Sequence, residues 1–138
     1  IAEYYMDHLP VDYLCETFKK EYFKICRELR LRPSNIIHAC YSMDRKILYG
    51  PNLPLERGTY EITIRTHVAA NEKGQDVLGE LSAVCGNQRF GPVKVRSQDE
   101  NPLRVDVSES LPLRIDFRYA RTAQIGIELV SIRRLPDA

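Results

Sequence analysis

Tryptophan is missing from this chain, and nothing in its 138 residues supplies a nucleotide-binding signature. The seven glycines are scattered. None falls into G-x-G-x-x-G or G-x-x-x-x-G-K-[ST], the spacings that let backbone N–H groups cradle a phosphate. The G-x-S-x-G elbow of a serine hydrolase is absent too. No apolar run approaches the ~18 residues that a membrane-spanning helix needs, and no signal peptide is visible. Charge of one sign is also lacking. Twenty basic against nineteen acidic residues leave a net charge of +1, whereas a general nucleic-acid binder rests on an excess of Lys and Arg.

What remains has the size of one domain, or one domain with an appendage, long enough to bury a core. An apolar share of 43% and a charged share of 28% fit a folded chain. The four cysteines, Cys15, Cys26, Cys40 and Cys85, show no C-x-x-C spacing. Cys15 and Cys26, if on one helix, stand about 16 Å apart along its axis, beyond disulfide reach. They read as buried free thiols of a reducing compartment, although a bridge from either to Cys40 or Cys85 stays open. The chain begins at Ile, which reads as a processed or excised piece of a longer protein.

The organising stretch is Lys46–Ala70. It opens with Ile47, Leu48 and Tyr49, breaks at Gly50-Pro51 and resumes with Leu53 and Leu55. After the turn at Glu56-Arg57-Gly58 it alternates through Tyr60, Ile62 and Ile64, with Thr59, Glu61, Thr63 and Arg65 facing the other way. Period-two alternation of aromatic and β-branched residues predicts a strand with one buried face. Further strands are predicted at 77–85, 93–95 (an edge, with Pro92 and Lys94), 103–107, 113–119 and 125–132. The last changes phase at Leu129-Val130 and continues with Ile132, which signals a β-bulge or a strand buried on both faces. Gly86-Asn87 reads as a hairpin turn. Strands punctuated this often predict an antiparallel β-sandwich of jelly-roll type over residues 46–138.

Residues 1–45 read as an N-terminal extension. Its first ten residues are an extended lead-in, and Ile36–Cys40 holds a short strand. Val11, Cys15, Phe18, Tyr22, Ile25 and Leu29 recur at helical spacing, with Glu16, Lys19, Lys20, Lys24 and Arg27 opposite, predicting an amphipathic helix over about 11–31. Pro33 stops it. The stripe packs on the sandwich or on a neighbouring domain; the alternative is a coiled-coil seam through Val11, Phe18, Tyr22, Ile25 and Leu29 that joins two copies.

Residues with chemistry lie on the polar side of the strands. The alternation turns Arg65, His67, Arg104, Arg114, Asp116, Arg118 and Glu128 outward. Mixed charges of this kind suit a solvated sheet with cross-strand pairs. They also suit a saccharide, whose hydroxyls take hydrogen bonds while an aromatic ring, Tyr119 or Tyr41, packs on the sugar. Asp116 and Glu128 are the carboxylates a glycoside hydrolase would have to pair, but the chain is read as non-catalytic. His8, His38 and His67 are too dispersed to suggest a metal site, and no cofactor is expected.

The segment L-Y-G-P-N-L-P-L-E-R-G-T-Y-E-I-T-I, then L-G-E-L-S-A-V, L-R-I-D-F-R-Y and I-G-I-E-L-V-S-I-R-R, resembles a β-sandwich accessory domain of bacterial glycosyltransferases and related enzymes of surface-polysaccharide assembly. Gly50, Pro51, Leu55, Gly58 and Tyr60 carry the likeness, as does the end from Ile127 to Arg134, over roughly residues 46–135. The resemblance implies a non-catalytic, carbohydrate-binding-module-like role in polysaccharide biosynthesis and supplies no catalytic residues. The ligand-binding residues expected are Arg65, His67, Arg114, Asp116, Arg118, Tyr119 and Glu128. The expected partners are a glycan and, through the helix, a second copy or an upstream catalytic domain. The expected location is the cytoplasm. The alternative function is an assembly module that dimerises through its helix.

Overall fold

The computed structural model describes residues 3–34, 36–39, 45–71, 74, 76–96 and 101–136. The described strands are β1 (Glu3–His8), β2 (Ile37–Ala39), β3 (Lys46–Pro54), β4 (Gly58–Ala70), β5 (Val77–Cys85), β6 (Gln88–Arg96), β7 (Leu103–Val107), β8 (Pro112–Tyr119) and β9 (Gln124–Arg134); one α-helix, α1 (Glu16–Glu28), precedes most of them. All pair antiparallel. One sheet (sheet A) runs β1-β9-β4-β7 with β2 also on β9, and the other (sheet B) runs β3-β8-β5-β6. Sheet A thus has five strands and sheet B four, and the order β2-β9-β4-β7 facing β3-β8-β5-β6 is that of a jelly roll, with β1 added on β9. The fold is the β-sandwich that the alternation predicts.

The two sheets meet through their alternating residues. Tyr60, Ile62 and Ile64 of β4, Val130 and Ile132 of β9, and Val105 of β7 face Leu81 and Ala83 of β5 and Leu113, Ile115 and Phe117 of β8 in one buried core. The phase change in β9 is a bulge. Arg65 of β4 pairs with Leu129 and Thr66 with Ile127, so Glu128 is the extra residue. A bulged strand re-aims a side chain, and here it leaves both Glu128 and Leu129 half-buried between the buried Ile127 and Val130.

The segment before β3 is built into this core. β1 and β2 pair with β9 at different heights, β1 opposite Val130–Arg134 and β2 opposite Ile125–Ile127. Ser131 of β9 donates to the Asp7 carboxylate of β1 at 2.7 Å. The predicted helix over 11–31 is shorter and divided. Pro10–Tyr13 form a 3₁₀ turn, and Cys15 is the N-cap of α1, with extended backbone at Leu14 and Cys15. The reason is pairing: Leu14 bridges Leu48, and the Cys15 N–H donates to the Ile47 carbonyl at 2.7 Å. That contact covers the free edge of β3, which would otherwise present open backbone groups. At the other end Arg30 takes a left-handed φ of 54°. Leu31 N–H bonds Cys26 O and Arg30 N–H bonds Arg27 O, a Schellman ending that closes the helix before Pro33.

Two features near this seam have measurable consequences. The Tyr13 hydroxyl is buried with no hydrogen-bond partner among the described residues, and burial pushes its pKa up. An unmet buried hydroxyl costs about 1–3 kcal/mol, so Tyr13→Phe is expected to stabilise the fold by about that amount, read as a higher urea midpoint. A lower midpoint would show that the hydroxyl is satisfied.

His8 lies edge-on to Tyr13, ring centres 5.1 Å apart. Its burial holds the imidazole below its usual pKa, against the opposing pull of the Asp12 and Asp7 carboxylates. The unfolded chain therefore takes up a proton at higher pH than the folded one. This contribution to stability is complete above about pH 6.5 and is lost as pH falls through the lower folded value. Melting curves between about pH 8 and about pH 5 should show a smaller loss of stability in His8→Gln than in the native chain. An equal loss would contradict the assignment.

Candidate functional site

In β8, Leu113, Ile115, Phe117 and Tyr119 share the inward face, which puts Arg114, Asp116 and Arg118 on the outward face of sheet B. In β5, Leu81, Ala83 and Cys85 point in, and Glu80 and Ser82 point out. Antiparallel register sets Arg118 opposite both Glu80 of β5 and Lys46 of β3, and Asp116 opposite Ser82 and Tyr49. Arg89 and Phe90 enter from β6, opposite Val84 and Ala83.

Lys46, Glu80, Ser82, Arg89, Asp116 and Arg118, with Arg45 and Arg121, line a basin of about 590 Å³. That volume lies within the ordinary range of ligand sites. Its described charges are unequal: five cations, Arg45, Lys46, Arg89, Arg118 and Arg121, face two carboxylates, Glu80 and Asp116. Asp116 is already committed. Arg114 holds it through two bonds, Nε to Oδ1 at 3.0 Å and Nη2 to Oδ2 at 3.3 Å. The Tyr49 ring is likewise engaged, by the Lys46 ammonium at 3.6 Å and the Arg114 guanidinium at 4.1 Å from its centre. Phe90 also borders the basin; it is half-buried, packs against the core and shares a register position with the inward-facing Ala83.

The residues expected to bind ligand therefore separate. Arg114, Asp116 and Arg118 share the outer face of sheet B, with Asp116 and Arg118 lining the basin. Arg65, His67 and Glu128 stand on β4 and β9 of sheet A, on the opposite side of the sandwich. There the His67 Nδ1 lies 2.9 Å from Glu128 Oε1. Asp116 and Glu128 thus occupy different faces, so this pair cannot flank one glycosidic bond.

Tyr119 does not serve as a binding residue. It is fully buried, with its hydroxyl bonded to the Ala123 carbonyl, because it continues the inward phase of Leu113, Ile115 and Phe117. Tyr41 and Cys40 lie outside the described residues. Arg45, Lys46, Glu80, Ser82, Arg89, Phe90 and Arg121 went unseen in the sequence. Alternation with Ile47, Leu81 and Ala83 was the available signal for Lys46, Glu80 and Ser82, but only the strand order brings these residues to one basin.

The helix stripe is also divided. Phe18 and Tyr22 are buried in the core and Val11 is half-buried, while Ile25 (39%), Leu29 (63%) and Leu31 (59%) remain exposed. A second, more apolar groove of about 380 Å³ runs beside them, lined by Tyr22, Ile25, Cys26, Leu31, Ala39 and Ile125 among others. Cys15, Cys26 and Cys85 are free thiols, and burial raises the pKa of Cys85 above its usual value. No described helix is long and apolar enough to cross a membrane. Comparison with known proteins gives no matching family model, no similar curated protein and no similar solved structure.

Proposed function

We propose that the chain is a non-catalytic saccharide-binding domain, an accessory module of a polysaccharide-processing protein, and that it holds an acidic saccharide in the basin of sheet B. The observation that carries this reading is the cation excess gathered on the outer side of sheet B by strands β3, β8 and β6 and the segments flanking β3 and β8. Arg suits carboxylate, phosphate and sulfate groups because its planar fork gives paired, charge-assisted hydrogen bonds. Glu80 and Ser82 add groups that can meet sugar hydroxyls. With Asp116 neutralised by Arg114, Glu80 is the one basin carboxylate without a described ion-pair partner, and a neutral sugar would leave the Arg89 and Arg118 guanidinium groups poorly matched. The unbridged Cys15, Cys26 and Cys85 support a reducing, cytoplasmic setting.

A glycan array tests this directly, with neutral, uronic-acid, phosphorylated and sulfated saccharides beside a single-stranded oligonucleotide. Retention of acidic saccharides over their neutral counterparts supports the reading and identifies the acidic group. Retention of the oligonucleotide alone would replace the saccharide with a nucleic acid.

The exposed Ile25, Leu29 and Leu31 beside the second groove favour one other reading, assembly through α1, since contiguous apolar surface marks interaction sites. Light scattering on native and Leu29→Glu protein separates the two. A dimer that the substitution dissolves establishes assembly.

A further inference from the structure

We propose that His38 and His67 form a binding site for a divalent transition-metal ion on the outer face of sheet A, with Glu128 orienting His67. The site is independent of the saccharide basin. His38 of β2 and His67 of β4 are both in register with Gly126 of β9, the strand between them. Their imidazoles meet over that glycine, ring centres 5.8 Å apart and planes at 75°.

Gly126 is what permits the approach. A Cβ built there would stand 2.2 Å from His67 Cε1 and 2.6 Å from Nε2, so the ring rests on bare backbone. The β9 bulge supplies the third part by placing Glu128 2.9 Å from His67 Nδ1.

The chemistry follows from these positions. A carboxylate facing Nδ1 keeps the proton on that nitrogen and leaves the Nε2 lone pair for a metal, the usual carboxylate–histidine–metal arrangement. With metal–nitrogen bonds of about 2.0–2.1 Å, two imidazoles on one ion at a near-tetrahedral angle hold their centres roughly 5–6 Å apart. The observed separation lies in that interval. Imidazole ligands select Zn²⁺, Ni²⁺ or Cu²⁺ over Mg²⁺ or Ca²⁺. No three His, Cys, Asp or Glu among the described residues are grouped to hold an ion. The proposed site is therefore a two-histidine chelate, with water in its remaining positions.

Calorimetric titration of the native chain with Zn²⁺, Ni²⁺ and Mg²⁺ tests it, with histidine NMR resonances as a second readout. The expected result is one equivalent of Zn²⁺ or Ni²⁺ and none of Mg²⁺. The imidazole signals of His38 and His67 should shift while those of His8 do not. His38→Ala and His67→Ala should each weaken binding at least tenfold, and Glu128→Gln by about 10–100-fold. Gly126→Ala should weaken it with every ligand still present. Zn²⁺ binding that survives His38→Ala/His67→Ala, or the absence of any binding at about millimolar metal, would overturn the proposal. The NMR readout on the native chain decides the matter even if a variant folds poorly: Zn²⁺ that leaves the His38 and His67 signals unmoved also overturns it.

Discussion

Phe18→Glu is expected to unfold the chain instead of yielding a folded, dissociated monomer. Phe18 is fully buried, stacked on Tyr22 with ring centres 6.5 Å apart and planes at 11°, and it belongs to the same core cluster as Tyr13, Leu14 and Ile47. Truncation to Ala at such a site costs about 3–5 kcal/mol. A carboxylate adds the desolvation of a buried group with no partner built for it. Against a typical total stability of about 5–15 kcal/mol, the glutamate leaves little or no folded protein. Leu29→Glu is the contrasting substitution. It changes a side chain that stands in solvent, so stability should move by no more than about 0.5 kcal/mol. Urea melts of both variants check the pair. A Phe18→Glu protein that melts like the native chain would mean that α1 does not pack into the sandwich.

Arg118→Ala and Arg89→Ala are expected to weaken an acidic saccharide by about 10–100-fold each, since a hydrogen bond to a charged group contributes about 1.5–3 kcal/mol. Both side chains are exposed, and neither has a described ion-pair partner, so melting temperature should stay close to native. Arg65→Ala serves as the control, because it lies on the other sheet and should leave saccharide affinity unchanged. Loss of affinity in Arg65→Ala with none in Arg118→Ala would move the binding face to sheet A. The selectivity should change too: the Arg118→Ala protein should discriminate less between acidic and neutral saccharides than the native one.

The architecture was legible where one physical pattern decides it. Tyr60, Ile62 and Ile64 alternate because one face of β4 is buried, and the broken phase near Leu129 left a bulge or a doubly buried strand, between which the register with β4 decides for the bulge. The bulge falls at Glu128, one residue earlier, since register with β4 fixes which residue is extra. Helical spacing from Val11 to Leu29 was real only from Glu16 onward. Leu14 and Cys15 are apolar in the right phase for a helix, yet β3 takes them into an extended pairing that no local propensity reveals. β1 was harder still, because Glu3–His8 becomes a strand only through its pairing with the distant Val130–Arg134.

The candidate site was less legible than the fold for the same reason. Outward alternation marked Arg65, Arg114 and Arg118 as equivalent, but the strand order sends β4 and β8 to different sheets. His38 and His67, twenty-nine positions apart in the chain, come together only because β9 lies between their strands. Gly126 carried no signal by itself, since its role is to be empty beneath a ring that arrives from another strand.

The most direct test of the central claim is a calorimetric titration with an acidic oligosaccharide and its neutral counterpart, each at about 50 mM and about 500 mM salt, where screening lengths differ severalfold. Binding of the acidic sugar that weakens with salt, with the neutral one at least tenfold weaker at low salt, is the predicted result. Equal affinity for both sugars, unaffected by salt, or no binding of either, would contradict the assignment of this face to an acidic saccharide.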